Sequence, residues 1–336
     1  MVYSKLFIRF NWITLVLIYL VVIAGSFVRI TGSGMGCPDW PKCFGEWIPP
    51  TSIDELPEDY KEKYAAKRLK KIGKFSSFLN ALGMKETAEK LSNDPSLKKE
   101  ESFNVRKTWT EYINRLVGFL AGNAILLIFL WVLWKYRKRK LIVFSAINLF
   151  LLIVQAWFGS IVVASNLVPW TITVHLLLAL IIIGIQLYII RMVSPSQKSN
   201  LQFSKGMSAL IWVCFIITVY QMFLGTQVRE YIDELTRQGY GKEDWSEMLG
   251  LSYFIHRSFS WLVLILLGVL AYFNQKGNKY PSIQWIFVLL AIELTSGVLL
   301  AHADLPGLAR TAHLIFATCI LGILTMVVFR LKLIRN

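Results

Sequence analysis

The chain has 336 residues, of which 55% are hydrophobic and only 17% are charged, and its mean hydropathy is +0.52. Soluble domains carry about 25% charged residues, so this composition excludes an ordinary water-soluble protein. The net charge of +15 does not indicate nucleic-acid binding. Outside one long connection, the basic residues lie mostly between alternate apolar runs, which is typical of membrane orientation.

The chain contains eight apolar runs long enough to cross a hydrocarbon layer, which takes about 20 residues per helix. They begin near Trp12, Tyr112, Leu141, Val168, Met207, Leu251, Pro281 and Leu308. No small-residue cleavage site follows the first run, so we expect it to remain as a helix. The sequence predicts an all-α polytopic membrane protein with eight transmembrane helices.

The connections on one side of the predicted membrane carry Lys and Arg but no Asp or Glu. They contain Lys5 and Arg9, the run 135–140, Arg191, Lys198, Lys205, Lys276, Lys279, Arg330, Lys332 and Arg335. Because short cytoplasmic connections are enriched in basic residues, both termini are predicted to be cytoplasmic.

Four segments are expected along the chain. Residues 1–30 form the first helix, 31–108 a connection or cap on the non-cytoplasmic side, 109–195 helices two to four, and 196–336 helices five to eight. Within the cap, residues 60–74 and 81–91 are predicted to be helical, because Lys and Glu alternate with apolar residues at helical spacing. The alternative is a polar insertion without a chemical role.

Two of the four cysteines lie just outside the first span. Cys37 and Cys43 fall on the predicted non-cytoplasmic side, where oxidation is possible. A local disulfide is the first interpretation, and a redox-active or metal-binding pair is the alternative. Cys214 and Cys319 lie inside apolar spans and are interpreted as packing residues.

The two halves of the chain resemble each other. Residues 25–29 match residues 225–229, Asn114 matches His256, and Gln155, Gly159, Leu167 and His175 match Glu293, Gly297, Leu305 and His313 without a gap. Four spans separate the copies, so both have the same orientation. We therefore predict two tandem four-helix bundles related by a pseudo-two-fold axis along the membrane normal.

The chain has four histidines, His175, His256, His302 and His313. Histidine within a span is costly and usually functional. Two imidazoles from facing helices can bind one heme iron axially, so His256 and His313 are predicted ligands of a heme in the second half. Zinc is the weaker candidate because it takes about four ligands. For His302, in the connection after span seven, we expect a surface role.

A heme also needs cations for its propionates. Arg257 follows His256 directly, Arg310 precedes His313 by one turn, and Arg229 lies at the same membrane face. These guanidinium groups are candidate propionate ligands. The alternative for each is a helix-end cation that reaches the membrane surface.

The first half offers His175, but the position that matches His256 is Asn114. One face of a heme bound there would lack a strong nitrogen ligand. Glu111 lies three residues before Asn114, on the same helical face. A carboxylate and an amide beside an open heme face are suited to orienting water or accepting protons, so Glu111 and Asn114 are the predicted catalytic residues.

These residues resemble the pattern of heme A synthases of the CtaA/Cox15 family. The resemblance covers all eight spans, including the stretch 32–43 with its two cysteines, the stretch 111–115, and the histidine-bearing spans four, six and eight. In that family the span-two position is commonly His within Glu-x-x-His-Arg, whereas here it is Asn114. A second cysteine pair, found after span five in some members, is absent from residues 230–250.

The resemblance implies oxidation of the C8 methyl of heme O to the formyl group of heme A. It implies heme b at His256 and His313, the substrate heme near Glu111 and His175, and Arg115 among the residues that bind these groups. A bacterial plasma-membrane location, heme O synthase and cytochrome oxidase assembly proteins as partners, and a homo-oligomer are further expectations.

Two other functions fit parts of the pattern. A di-heme b-type cytochrome that carries electrons without modifying heme would need the same second-half histidines, but Asn114 argues against it. A transporter would use Glu293, deep in span seven, although broken spans with midplane Gly/Pro pairs are not evident. Glu293 is as easily explained by a hydrogen bond to a neighbouring helix.

Overall fold

The computed structural model describes residues 3–39, 41–93, 102–165, 169–194, 203–241, 244–245, 248–277, 280–302 and 306–331. Within this part of the chain, ten α-helices and one short 3₁₀ turn are found. The helices are α1 (Lys5–Ile30), α2 (Tyr60–Ala81), α3 (Lys85–Asn93), α4 (Val105–Trp131), α5 (Arg139–Ala164), α6 (Pro169–Val193), α7 (Lys205–Arg237), α8 (Leu251–Lys276), α9 (Pro281–His302) and α10 (Pro306–Val328). A π-helical turn, Val132–Tyr136, extends α4.

Eight of these helices, all except α2 and α3, are long and apolar enough to cross a membrane. The shortest, α9, has 22 residues, which is about 33 Å at 1.5 Å per residue. Large apolar side chains cover their outer faces: Leu6 is 65% exposed, Phe150 62% and Trp261 66%. Such faces suit lipid, and the prediction of eight transmembrane helices is confirmed.

The helices begin where local chemistry favours a start. Proline occupies the first position of α6, α9 and α10, where its missing N–H costs nothing. At α7, Ser204 caps the helix by accepting from the N–H of Met207. Helices α1 and α4 begin about two turns before their predicted apolar runs, because the charged residues that flank those runs are themselves helical.

Two compact units make up the chain. The first comprises Met1–Val16, Leu127–Asn148 and Ala179–Asn336. Its α7–α10 bundle has a fully buried core that includes Ile211, Leu270 and Leu324. The tandem two-fold relation between the halves stays a prediction.

A buried polar chain joins three helices within this first unit. Gln186 of α6 accepts from Asn148 of α5 at 3.1 Å and donates to the backbone oxygen of Asn11 of α1 at 3.1 Å. All three side chains are at most 1% exposed. Amide hydrogen bonds of this kind hold transmembrane helices together where no hydrophobic driving force acts between them.

The second unit comprises Leu17–Leu126 and Leu149–Leu178, and it contains the segment between α1 and α4, which we call the cap. Helices α2 and α3 form an antiparallel pair whose apolar faces include Ile72, Phe75 and Ala88. These side chains pack against Phe158 and Val162 near the end of α5. The described part of the cap is therefore a folded helical layer, and both predicted cap helices are present with α2 longer than expected.

The cap also contains the disulfide between Cys37 and Cys43, whose Cα atoms lie 5.2 Å apart. Both cysteines are fully buried, and Phe44 beside them contacts the rings of Tyr60 and Tyr64 edge-on. The local disulfide predicted from the sequence is present. Cys214 is buried in the core of the α7–α10 bundle, as expected for a packing residue.

Candidate functional site

One contact recurs in the helix pairs α5/α6, α7/α8 and α9/α10: a histidine ring lies against a glycine of the preceding span. A methyl group added at Gly159 would lie 2.9 Å from Cε1 of His175. The corresponding distances are 3.1 Å from Gly225 to His256 and 3.3 Å from Gly297 to His313. Each glycine therefore provides the space that the imidazole ring occupies.

The helix pair α1/α4 repeats this contact with a different side chain. A methyl group at Gly25 would lie 3.9 Å from Oδ1 of Asn114, which is an ordinary van der Waals distance. Oδ1 of Asn114 is buried and has no hydrogen-bond partner among the described residues. Such an atom costs free energy unless something pairs with it, so Asn114 is suited to a polar group from a ligand or a bound water.

A glutamine or glutamate lies one turn before each of the three histidine-facing glycines. Nε2 of Gln155 donates to the backbone oxygen of His175 at 2.9 Å, and Nε2 of Gln221 donates to that of His256 at 2.8 Å. These amides tie the backbone of the histidine-bearing turn to the neighbouring helix. The sequence analysis did not identify Gln221, although its spacing to Gly225 equals that of Gln155 to Gly159.

The third member, Glu293, makes a different contact. Its Oε1 lies 3.1 Å from Nδ1 of His313, and its backbone oxygen lies at the same distance from that nitrogen. Ser296 Oγ is also 3.1 Å away. The Glu293 side chain thus contacts the neighbouring helix at the imidazole ring itself, while the hydrogen bonds of that nitrogen are to the Glu293 backbone and Ser296.

His256 and His313 face each other within the α7–α10 bundle. Their ring centroids are 6.5 Å apart, and the ring planes are nearly perpendicular at 80°. Two metal–imidazole bonds of about 2 Å, plus ~1 Å from each nitrogen to its ring centre, place two rings about 6 Å apart across one metal ion. The spacing of the pair therefore fits axial ligation of a single iron.

The hydrogen bonding around this pair also fits a heme ligand set. A carbonyl oxygen can only accept, so the contact with the Glu293 backbone places the hydrogen of His313 on Nδ1 and leaves the lone pair on Nε2. Ligating histidines usually donate their other ring N–H in this way. Nδ1 of His256 has no partner among the described residues, so the two rings are held differently.

In the first half of the chain, within the second compact unit, His175 projects from the first turns of α6. Its ring stacks on Phe158 with centroids 6.4 Å apart and planes 25° from parallel. Nδ1 of His175 is buried and has no hydrogen-bond partner within the described part of the chain. Glycine on one side, an aromatic ring on another and an unpaired nitrogen together suit a ligand position.

Glu111 lies directly beneath the disulfide loop. Its side chain is 1% exposed, and Oε2 accepts from the backbone N–H of Cys37 at 2.7 Å. Oε1 pairs with Arg115, whose guanidinium also donates to the backbone oxygens of Cys37 and Asp39. Glu111 and Arg115 therefore anchor this loop, a contact between residues more than 70 positions apart that the sequence did not indicate.

A close backbone approach completes this anchor. A methyl group at Gly36 would lie 2.6 Å from the backbone of Lys107 and 2.8 Å from that of Thr108. Backbone atoms cannot move aside as a flexible side chain can, so only glycine fits there. The loop is thus pressed onto the first turns of α4 immediately before Cys37.

Comparison with known proteins agrees with this arrangement. The family described as cytochrome oxidase assembly protein, COX15-CtaA, matches residues 8–325. The chain belongs to the COX15-CtaA family. This match covers all eight membrane-spanning helices and both histidine-bearing halves.

Individual relatives of this COX15-CtaA chain are bacterial proteins named heme A synthase. The chain is 24% identical to that of Wolbachia pipientis from Culex pipiens, over 89% of each chain. It is 26% identical to that of Bradyrhizobium diazoefficiens, over 94% of this chain and 88% of that protein. The chain is 25% identical to the heme A synthase of Shewanella oneidensis, over 63% of this chain and 54% of that protein.

The three arginines that are candidate partners for heme propionates have different surroundings. Arg257 is exposed at the start of α8, and Arg310 is half-buried in the first turn and a half of α10. Arg229 is paired with Asp233 one turn along α7 at 2.6 Å. Arg257 is therefore the most accessible of the three. The side chain of His302 lies outside the described residues.

Proposed function

We propose that this protein is a heme A synthase that oxidises the C8 methyl of heme O to the formyl group of heme A. The observation that carries the proposal is the histidine pair, spaced for one iron, in a chain that belongs to the COX15-CtaA family over nearly its full length. Relatives of similar length are named for the same activity.

The second half is proposed to bind heme b between His256 and His313. The ring spacing and the perpendicular ring planes support this assignment. Heme b would supply one-electron transfer when bound. Around it, Arg257, Arg310 and Arg229 are proposed to hold the propionates, since guanidinium groups bind carboxylates in a bidentate manner.

The first half is proposed to bind heme O, with His175 on one face. The unpaired nitrogen of His175 and the unpaired oxygen of Asn114 support this assignment. An amide oxygen is a weak ligand, so the Asn114 face would admit water or oxygen more readily than a second imidazole would. This difference suits a heme that must enter, react and leave.

Glu111 is proposed to accept protons released from the methyl carbon. Converting a methyl to a formyl group adds an oxygen atom to that carbon and releases both electrons and protons, so an electron acceptor and an oxygen source are also required. A carboxylate can accept the protons where Asn114 and Arg115 cannot. Its contacts with Cys37 and Arg115 support a second role, in which Glu111 keeps the disulfide loop on α4. Arg115, which donates to two backbone oxygens of this loop and to Glu111, acts mainly as an anchor.

The protein is proposed to lie in the bacterial plasma membrane with both termini in the cytoplasm, so the cap faces the opposite side. The charge distribution supports this orientation. We also propose that heme O synthase supplies the substrate and that cytochrome oxidase assembly proteins receive the product. Association into a homo-oligomer is a further proposal.

Heme extraction from the purified protein tests the proposed function. With heme O synthase expressed alongside, we expect heme b together with heme O, a hydroxylated intermediate or heme A. Without that synthase, only heme b should remain. Stoichiometric heme b alone under both conditions would instead identify a di-heme electron carrier.

A further inference from the structure

The three glutamine or glutamate residues that precede the histidine-facing glycines occupy equivalent positions but serve different atoms. Gln155 and Gln221 donate to a backbone carbonyl of the next helix. Glu293, at the same spacing from Gly297, contacts the imidazole ring of His313. Glutamine at this position therefore contacts the backbone of the next helix, whereas glutamate contacts the ring of the predicted ligand His313.

The chemistry of the side chains explains this difference. A glutamine amide has N–H donors that can reach a carbonyl oxygen, whereas the carboxyl group of Glu293 has no N–H. Oε1 of Glu293 instead lies 3.1 Å from Nδ1 of His313, a nitrogen that is also hydrogen-bonded to the backbone oxygen of Glu293 and to Oγ of Ser296. Three oxygens around one nitrogen fix both the ring orientation and the position of its hydrogen.

We propose that Glu293 is a positioning residue that holds His313 with Nε2 towards the iron and makes it the stronger electron donor of the two axial histidines. The inference rests on the proposed heme b site. A carboxyl oxygen held close to a ring N–H makes the opposite ring nitrogen more basic, and Oε1 of Glu293 lies 3.1 Å from Nδ1 of His313. A more basic ligand favours the oxidised iron, so this contact lowers the reduction potential of heme b.

The comparison with His256 makes the proposal specific. Nδ1 of His256 has no partner among the described residues, and Gln221 donates to the His256 backbone rather than contacting its ring. The pair is therefore asymmetric, with one ring fixed through its own nitrogen and the other only through its helix. Electron donation to the iron would come mainly from the α10 side.

Reciprocal exchange of the two side chains tests the inference. Glu293→Gln should fold, because glutamine occupies the matching positions in the helix pairs α5/α6 and α7/α8. Its amide is expected to turn to the His313 backbone, which leaves Nδ1 of His313 with only the backbone oxygen of residue 293 and Ser296 Oγ, so the midpoint potential of heme b rises. Gln221→Glu should give His256 the contact that His313 has lost, and the potential should fall.

The double variant Gln221→Glu/Glu293→Gln should restore a potential close to that of the unchanged protein. Potentials are measured by redox titration of the low-spin heme b band, with the electron paramagnetic resonance signal of the oxidised heme as a second readout. Gln155→Glu is the matched control, since it makes the same chemical change beside His175, and it should leave the heme b potential unchanged.

Ser296→Ala keeps the test decisive if Glu293→Gln binds heme b poorly. It removes one of the three oxygens from Nδ1 and should raise the potential by less than Glu293→Gln. Wild-type potentials and spectra in both variants, with full heme b content, would overturn the inference. Failure of the heme b site itself would appear separately, as an unchanged heme b spectrum in His256→Ala and His313→Ala.

Discussion

The helix pairs α1/α4 and α7/α8 place matching glycines against different side chains. Gly225 lies against the ring of His256, whereas Gly25 lies against the amide of Asn114. The glutamine that supports the His256 turn has no counterpart before Gly25, where the chain has Val21. The same helical frame therefore presents an imidazole in the second half and an amide in the first, a strong and a weak candidate ligand. This difference suits the proposed functions of the two halves, in which one heme is retained and the other must leave.

The largest expected effect is the loss of the heme b that we propose for the second half. His256→Ala or His313→Ala removes one axial nitrogen, so the low-spin bis-histidine spectrum and most heme b should disappear. Optical spectra and heme content per protein measure this. His302→Ala is the control and should leave both unchanged. A normal heme b spectrum in both ligand variants would rule out this assignment.

Glu111→Ala should abolish heme A formation while heme b in the second half stays at its normal level. The same change removes the acceptor for the Cys37 N–H and leaves Arg115 short of one partner, so the loop should also loosen. Glu111→Gln separates the two roles, because an amide oxygen can keep one loop contact but cannot accept a proton.

The measurement is the ratio of heme A to heme O in membranes at matched protein and heme b content. We expect at least a tenfold lower ratio in Glu111→Gln if proton acceptance matters. Near-normal turnover in that variant would leave Glu111 with only its loop contact. A wild-type ratio in Glu111→Ala as well would remove it from the mechanism.

Exchanging Asn114 for histidine should make the first half resemble the second. Gly25 leaves more space beside Asn114 than Gly225 leaves beside His256, so a ring is sterically acceptable. In a His256→Ala background, Asn114→His should add a low-spin signal that depends on His175. If His175→Ala does not remove that signal, the two residues do not share a heme.

Alanine at the histidine-facing glycines should give graded effects. Gly159→Ala, with a contact of 2.9 Å, must displace His175, and such overpacking costs about 1–3 kcal/mol. Gly297→Ala, at 3.3 Å, should shift the His313 ring only slightly. Gly25→Ala, at 3.9 Å, is the matched control. Thermal unfolding and heme content measure the series, and equal effects at all positions would contradict the glycine contacts.

The smallest effect on chemistry is expected for the disulfide. Cys37→Ser opens a short loop, which costs about 2 kcal/mol by the loop-entropy estimate, but Glu111 and Arg115 still hold the backbone. The variant should unfold at a lower temperature and still form heme A. Mass spectrometry of protein from an oxidising compartment should show the two cysteines paired in the unchanged chain, and two free thiols would refute the pairing.

Much of the fold was predictable because membrane insertion depends on local composition. Each span is an apolar run whose backbone must satisfy its own hydrogen bonds, so length and hydropathy suffice to find it. The ends were less accurate: α1 and α4 begin earlier because charged flanks such as Lys5 and Arg106 continue the helix. The alignment of Gly159 and Gly297, made from sequence, also marked the positions that receive the histidine rings.

The histidines, the glycines and the eight spans were determined by the sequence itself, because hydropathy and residue type belong to each position alone. The tertiary structure decided which atoms meet. That Gln221 holds the His256 backbone, that Glu293 holds the His313 ring, and that Glu111 accepts from Cys37 all depend on the packing of neighbouring helices and loops. Spacing along the chain does not specify which atom of the neighbouring helix or loop each of these side chains reaches.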